Sequence, residues 1–270
     1  MEKIVERNKC TGCKMCADVC TTGAISYQAD MEGFWYPVID PQKCTDCRLC
    51  QNACPQAHAV ENRNDIPTVY AAWIRNDAVR YKSTSGGIFY ALAEEVIRQG
   101  GYVVGCRYAD DCKSAFHEIV HTMEDLERLI GSKYFQSDTG SIYRDVKRLL
   151  EQKEKVLFCG SPCQIAAMLR FLGREYENLI TMDYICLGIN SPRAYRAYVT
   201  EQEEKYKSNV RRVQFKNKKL GWQSLATFME FSDGKIYRKD KDRDLWVKGY
   251  ILKNLYMRPS CYQCNYRNQT

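Results

Sequence analysis

The chain has 270 residues, 45% hydrophobic and 27% charged, with a formal net charge of +7. That composition is globular and leaves room for one large domain or for a small one plus a medium one. No run of 18 or more apolar residues occurs, and the opening MEKIVERNKC lacks the apolar core of a secretory signal, so neither a membrane span nor export is expected and the protein reads as cytoplasmic. Thiols stay reduced in that compartment, and fifteen cysteines therefore point to metal rather than to disulfides.

Residues 10–20, CTGCKMCADVC, and 44–54, CTDCRLCQNAC, both read Cys-x2-Cys-x2-Cys-x3-Cys. Three cysteines at three-residue spacing wrap a loop around three corners of a cubane. The fourth starts away from that loop and, in two-cluster ferredoxins, completes the other cluster. Applied here, Cys10, Cys13, Cys16 and Cys54 hold one 4Fe-4S cluster, and Cys44, Cys47, Cys50 and Cys20 hold the second. Between the halves, the turn-rich ADMEG separates two short apolar stretches, as a hairpin requires. The pattern resembles a bacterial two-cluster ferredoxin, with Thr21 where that family usually has proline and Pro55 retaining it. Two structural zincs are the competing reading, but zinc sites usually pair two Cys-x2-Cys knuckles across a longer gap.

Beyond this module the periodicity changes. VYAAWIR (69–75), YVVGCRY (102–108), FHEIVH (116–121), VLFC (156–159) and LITMDYIC (179–186) are strand-like runs. Helical patterns lie between most of them, including a face of Ile88, Phe89, Leu92, Ala93 and Val96 and another of Ile142, Val146 and Leu149. Alternation of this kind predicts an α/β domain with a largely parallel sheet, whose ligands gather at the carboxyl ends of the strands. After a polar helix near 192–206, VRRVQFKN, SLATFMEF and KIYRK predict an antiparallel carboxyl-terminal addition. The fold class expected is an α+β two-cluster ferredoxin module over residues 1–62, then this α/β domain over 63–270.

Three turns fall on the functional edge. KSTSGG, Lys82 to Gly87, opens a helix at 88, where Ser and Thr can cap and a phosphate can approach the backbone; a plain capped helix start reads equally well. In FCGSPCQ, Ser161 followed by Pro162 predicts an N-cap with proline at the first helical position, and Gln164 sits where a capping-box partner belongs. That puts Cys163 in the first turn, where the helix dipole favours a thiolate. In CLGINSP, Cys186 closes a strand and Ser191-Pro192 begins the next helix. Cys261 and Cys264, in CYQC, need partners from elsewhere. Cys163 and Cys186 are the candidates for a third metal site, Cys159 competes for either place, and burial as small hydrophobes is the plain alternative. Cys106 and Cys112 show no partner spacing and read as structural.

KSTSGGIFYALAEEVI, GSKYFQSDTGSIYRDVKRLL, VLFCGSPCQIAAMLRFL, DYICLGINSP and CYQC, in that order, resemble the coenzyme F-420 hydrogenase/dehydrogenase beta-subunit family. The resemblance implies an iron-sulfur flavoprotein that binds FAD and passes electrons between clusters and a two-electron acceptor, often a deazaflavin. It implies a flavin site including Ser85, Gly86 and Gly87, then Ser132, Lys133, Tyr134, Gln136 and Ser137, then Gly160, Ser161 and Gln164, and a third 4Fe-4S cluster on the late cysteines. Family members often have His where this chain has Leu187, and they continue past the last Cys-x2-Cys into an Asp/Gly/Trp-rich segment. Here the sequence stops at NYRNQT, so a chain truncated at its carboxyl end is expected.

Clusters move single electrons, and a flavin converts them to pairs, so ferredoxin module, third cluster, FAD and acceptor form a sensible order. The partners implied are a redox protein, either a ferredoxin or another oxidoreductase subunit, and a small-molecule acceptor. The alternative is an adapter, a ferredoxin fused to a docking domain with no substrate of its own. Residues 1–60 hold six Lys/Arg and seven Asp/Glu, so the positive excess lies in the remainder. Residues 206–219, YKSNVRRVQFKNKK, carry six bases and no acid; a solvated face is the plain reading, and attraction of an acidic partner or anionic cofactor the functional one. Nucleic-acid binding finds no other support. His117 and His121 fall in a strand-like run and read as structural.

Overall fold

The computed structural model describes residues 2–58 and 66–266, and the expected domain boundary at 62/63 lies outside the described residues. The amino-terminal module is one device used twice. Helix α1 (Met15–Val19) is followed by the hairpin β1 (Ile25–Ala29) and β2 (Trp35–Ile39), paired antiparallel with Ile25 opposite Ile39. Helix α2 (Leu49–Ala53) closes the second half. Each helix is entered through a left-handed residue, Lys14 at φ 63° and Arg48 at φ 59°, and each ends on an extended cysteine, Cys20 or Cys54. The entry turns a cysteine loop sharply into its helix, so the fourth cysteine leaves in the opposite direction.

Helices α3 (Asp77–Lys82) and α4 (Ile88–Arg98) lead into β3 (Tyr102–Tyr108) and β4 (Ala115–Val120). Then come α5 (Met123–Leu129), α6 (Ile142–Glu151), β5 (Val156–Cys159), α7 (Pro162–Leu172) and β6 (Leu179–Met182). The sheet order is β4-β3-β5-β6. β3, β5 and β6 run parallel, and β4 is an antiparallel edge. β3 and β5 are buried on both faces, which is why they read as continuous apolar runs. Val103 and Leu157 face α4 and α5, whereas Val104, Val156 and Phe158 face α6 and α7. Met15 of α1 inserts into that second cluster, so the ferredoxin module docks on the α6/α7 layer.

Helix α8 (Pro192–Tyr206) then packs on an antiparallel sheet of β7 (Val210–Asn217), β8 (Ala226–Phe231) and β9 (Ile236–Asp240), closed by α9 (Leu245–Ile251). Aromatic rings fill this third core. Phe135 stacks on Tyr195 with centroids 3.7 Å apart, and Tyr198 stacks on Trp246 at 5.7 Å. No helix among the described residues is long and apolar enough to cross a membrane.

The structure corrects four local expectations. Residues 69–75 form no strand; they pass over the turn before α4, where Ile74 N–H donates to Gly86 O at 2.8 Å, and Val69 and Trp73 stay exposed. The β3 edge they would need is taken by β4. β6 stops at Met182, so Cys186 stands in the loop beyond the strand. Helix α4 is capped by left-handed Gly87 without any side-chain cap, while Ser83 terminates α3. The same helix buries Tyr90, Ala93 and Val96 and leaves Leu92 exposed. The capping of α7 is as its sequence predicts, with Gln164 Oε1 accepting Ser161 N–H at 2.9 Å.

Two polar groups in the core carry stability. Asp244 is fully buried; its carboxylate accepts Tyr198 and Tyr237 hydroxyls at 2.8 Å each and caps α9 through Val247 N–H at 3.0 Å. Asp244→Ala strands two hydroxyls and removes a cap, and is expected to destabilise the chain by about 3 kcal/mol in a urea melt. His117 on β4 stacks against Phe158 at 6.1 Å with Nδ1 3.3 Å from Ser137 Oγ. Burial drives its imidazole from 6.5 down to about 4. A lowered histidine contributes stability that is complete above its unfolded value and is lost as pH falls through the folded one. Stability is therefore expected to decline between pH 6.5 and 4 with a slope of about one proton, and a His117→Gln chain, compared by urea titration across that range, should lose that component.

Candidate functional site

Twelve of the cysteines fall into three groups. Cys10, Cys13, Cys16 and Cys54 are electrostatic neighbours, and Cys54 reaches them because α2 ends beside the first loop. Cys20, Cys44, Cys47 and Cys50 line one pocket with Ile25, Ile39 and Leu49. The fourth cysteine of each run thus stands with the three of the other. Cys163, Cys186, Cys261 and Cys264 line a third pocket together with Thr11 and Gln56 of the ferredoxin module. Cys163 also lies within electrostatic reach of Cys13, so the first group is central and the other two flank it. Each group offers four thiols and no competing acid or histidine, a donor set that suits a 4Fe-4S cubane. No three His, Cys, Asp or Glu side chains among the described residues converge as ligands of a single ion would.

The third group is assembled over long range. Cys163 comes from the first turn of α7 and Cys186 from the loop after β6. Cys261 and Cys264 are delivered by the carboxyl-terminal segment, which bonds back along that loop through Arg258 N–H to Ile189 O at 2.8 Å and Ser191 N–H to Tyr256 O at 2.8 Å. Gly188, at φ 138°, leaves the space in which Met257 passes: a Cβ there would meet its Sδ at 2.2 Å. Ile189 N–H points at Cys261 Sγ, 3.4 Å away. Cys163, rather than Cys159, is the cysteine of this turn that lines the pocket. Cys159 instead neighbours Cys106, Lys133 and Asp183.

Electrostatics correct one expectation. The start of α7 does not favour a thiolate at Cys163. Burial pushes the thiol up to about 12, against a smaller opposing effect of the Ser161 hydroxyl at 3.2 Å. Cys13 is likewise pushed up to about 12 by burial. Such buried thiols ionise only with a metal's charge beside them.

The residues carried over for a flavin divide into three places. Ser85 and Gly86 line a groove of about 740 Å³ with Trp73, Arg80, Lys216, Lys218 and Trp222. Lys218, the buried member of the basic run, donates to Arg80 O at 2.5 Å and Ser83 O at 2.7 Å and lies 4.0 Å from the Trp222 ring. Gly86 is required by packing, because a Cβ would meet Ala72 O at 2.7 Å, and Gly87 by its φ of 80°. Ser132 Oγ donates to Thr84 Oγ1 at 3.2 Å, joining the second segment to this turn. Lys133 closes the end of α5 by donating to Leu129 O at 3.0 Å and Ile130 O at 3.2 Å, and burial pushes its ammonium down to about 8. Tyr134 packs on Tyr250 at 5.0 Å, with Lys216 Nζ of the groove 5.6 Å from its ring.

The remaining carried-over side chains bond within the protein. Gln164 Oε1 accepts Ser161 Oγ–H at 3.0 Å, and its Nε2 donates to Ser137 Oγ at 3.3 Å; Gly160 lies against Gln164 and Phe158. The Gln136 amide donates to Thr11 O and Gly12 O, both at 3.3 Å, and accepts from Arg258 at 2.9 Å, so its side chain braces the cluster loop. Thr139, Tyr143 and Arg258, which make the same interface, carry no spacing signal and are visible only once the chain is folded. Trp73, Trp222 and Arg80 are missed for the same reason.

Residues 9–58 match a 4Fe-4S dicluster domain family, and residues 36–91 match a second family of that description. Residues 153–269 match the family described as the C terminus of the coenzyme F420 hydrogenase/dehydrogenase beta subunit. No curated protein matches. Thirteen chains of solved structures do, among them one of the F420-reducing NiFe hydrogenase complex from Methanosarcina barkeri, at 17% identity and a TM-score of 0.47 over 71% of this chain. The chain spans 63% of the length of that relative. By these matches the chain carries an amino-terminal 4Fe-4S dicluster domain, and its residues 153–269 are similar to the carboxyl-terminal domain of the coenzyme F420 hydrogenase/dehydrogenase beta-subunit family.

Proposed function

We propose that the protein is an iron-sulfur flavoprotein oxidoreductase, passing electrons between three 4Fe-4S clusters and FAD and on to a two-electron acceptor such as a deazaflavin or another organic molecule. The observation that carries this reading is the third pocket, where four cysteines from three separate parts of the chain meet Thr11 and Gln56 of the ferredoxin module. Four thiols gathered against the first cluster's loop have a use as a further step in a series; as core packing they have none.

When bound, the clusters supply one-electron carriers and the flavin the conversion to electron pairs. The chain's own residues hold and separate them. Cys163, Cys186, Cys261 and Cys264 would ligate the third cluster. The groove beside α4 fits FAD in kind: its volume lies within the roughly 300–1,000 Å³ of ligand sites, Trp73 and Trp222 offer flat faces, and Arg80, Lys216 and Lys218 offer positive charge for a pyrophosphate. At the other end, Cys47 is exposed, so a redox partner protein would reach the second group.

Anaerobically purified protein is expected to carry about twelve irons and matching sulfide, four for each cubane, with one FAD per chain. Eight irons and no flavin would leave the adapter reading in its place, and a colourless zinc protein would remove both. Cys163→Ser is expected to lower the iron count by about four, while Cys159→Ser should leave it unchanged; the reverse pattern would reassign the ligand.

A further inference from the structure

Arg258 is fully buried, three residues before Cys261, and its side chain crosses from the α/β domain into the ferredoxin module. Nε donates to Cys10 O at 2.7 Å, one terminal nitrogen to Gln136 Oε1 at 2.9 Å, and the other to Trp35 O at 3.0 Å. The guanidinium lies 5.2 Å from the Phe34 ring and 4.4 Å from the Tyr36 ring. All of these partners are neutral. Of the other cations at this interface, Lys14 pairs with Asp138 at 2.6 Å and Arg144 with Asp18 at 3.1 Å, whereas Arg170 and Arg193, which donate to Asn52 O and Met31 O, are exposed to solvent. No ion pair among the described residues includes Arg258.

Burying a cation without an anion costs several kcal/mol, and arginine cannot escape by losing its proton. Carbonyls and ring faces offset part of that cost. The group that completes the balance is next door, because Cys10 is a first-group cysteine. A cubane with four thiolates is a dianion when oxidised and gains another negative charge on reduction, and cluster potentials follow local charge, hydrogen bonding and exposure. A fixed positive charge beside it stabilises the reduced form more than the oxidised one.

The two halves of the module make the need visible. Their cysteine runs share one spacing and each group has one buried cysteine, Cys54 or Cys50, but the second group is open to solvent at Cys47 whereas no cysteine of the first is exposed. Burial alone would make the first cluster much harder to reduce than the second. We propose that Arg258 is the fixed counter-charge of the cluster held by Cys10, Cys13, Cys16 and Cys54, raising that cluster's midpoint potential so that it can exchange electrons with the exposed second cluster. The inference rests on the 4Fe-4S dicluster domain and not on FAD or the third cluster. Arg258 is a positioning and tuning residue, since it touches the Cys10 backbone rather than a reacting atom.

The test is a redox titration of the anaerobically purified full chain followed by electron paramagnetic resonance, with the second cluster's signal identified by its response to Cys47→Ser. In the unaltered protein the first cluster is expected to titrate no lower than the second; a first cluster far below it overturns the proposal whatever the variants do. Arg258→Gln should shift the first cluster's potential down and leave the second in place, and Arg258→Lys should recover much of the shift. Gln136→Glu, which sets a carboxylate on the guanidinium with Arg258 retained, should produce a downward shift of its own and covers the case in which Arg258→Gln loses iron. Full iron content with an unmoved first-cluster potential in either charge-altering variant reduces Arg258 to a structural brace and overturns the proposal.

Discussion

The structure depends on the carbonyl groups of one loop. A cysteine loop around a cubane turns its N–H groups toward the cluster sulfurs, so its carbonyls face outward and need donors. In the first half of the ferredoxin module those donors come from the other domain. Cys10 O accepts from Arg258, Thr11 O and Gly12 O from Gln136, and Cys13 O from the hydroxyls of Thr139 and Tyr143, each at 2.9 Å. Four consecutive carbonyls are satisfied by four side chains spread over more than a hundred residues. The second loop faces solvent over residues 45–49. This asymmetry decides which cluster is central, how the two domains dock, and where the third group of cysteines can stand.

The same contact explains a difference inside the repeat. Gly12 and Asp46 occupy equivalent positions in CTGC and CTDC, and both adopt positive φ, 67° and 53°. At Gly12 a Cβ would meet Gln136 Nε2 at 2.3 Å and an Arg258 nitrogen at 2.8 Å. The covered copy therefore requires glycine for space as well as for conformation, whereas the open copy tolerates aspartate, which visits the left-handed region more readily than most residues. Two runs of the same cysteine spacing differ here where their surroundings differ.

What could be read from the sequence was local. The cysteine runs are legible because a cubane imposes short spacings, and the start of α7 because an N-cap, a proline and a glutamine lie within four residues. Cys163 and Cys186 were candidates by position at turns, with Cys159 in competition, and Cys261 and Cys264 by their Cys-x2-Cys spacing; Cys186 stands in a loop rather than on the strand expected. Arg258 and Gln136 were illegible as a pair, because 122 positions separate them and the motif that holds Gln136 gives no hint of Arg258. Residues 69–75 mislead in the opposite direction: a β-branched and aromatic run that pairs with no strand is only an extended segment. Helix α5 did carry a readable signal, Thr122 accepting Asp125 N–H at 3.1 Å ahead of an acidic first turn.

Along the line of cysteines Cys47 is exposed and Cys54 buried, and burial raises the thiols of Cys13 and Cys163 alike, to about 12. Electrostatic interactions strengthen along the same direction as water is excluded. A charge entering at the exposed end is well solvated there, and every step inward needs a protein group to replace the lost water. The first step has Arg258. The third group has backbone N–H of Ile189 aimed at Cys261 and the Ser161 hydroxyl at Cys163, both dipoles rather than charges. Dipoles compensate an added electron less than a full cation does. Under the proposed function, the groove bordered by Arg80, Lys216 and Lys218 would supply the positive surroundings that an acceptor beyond the third group needs.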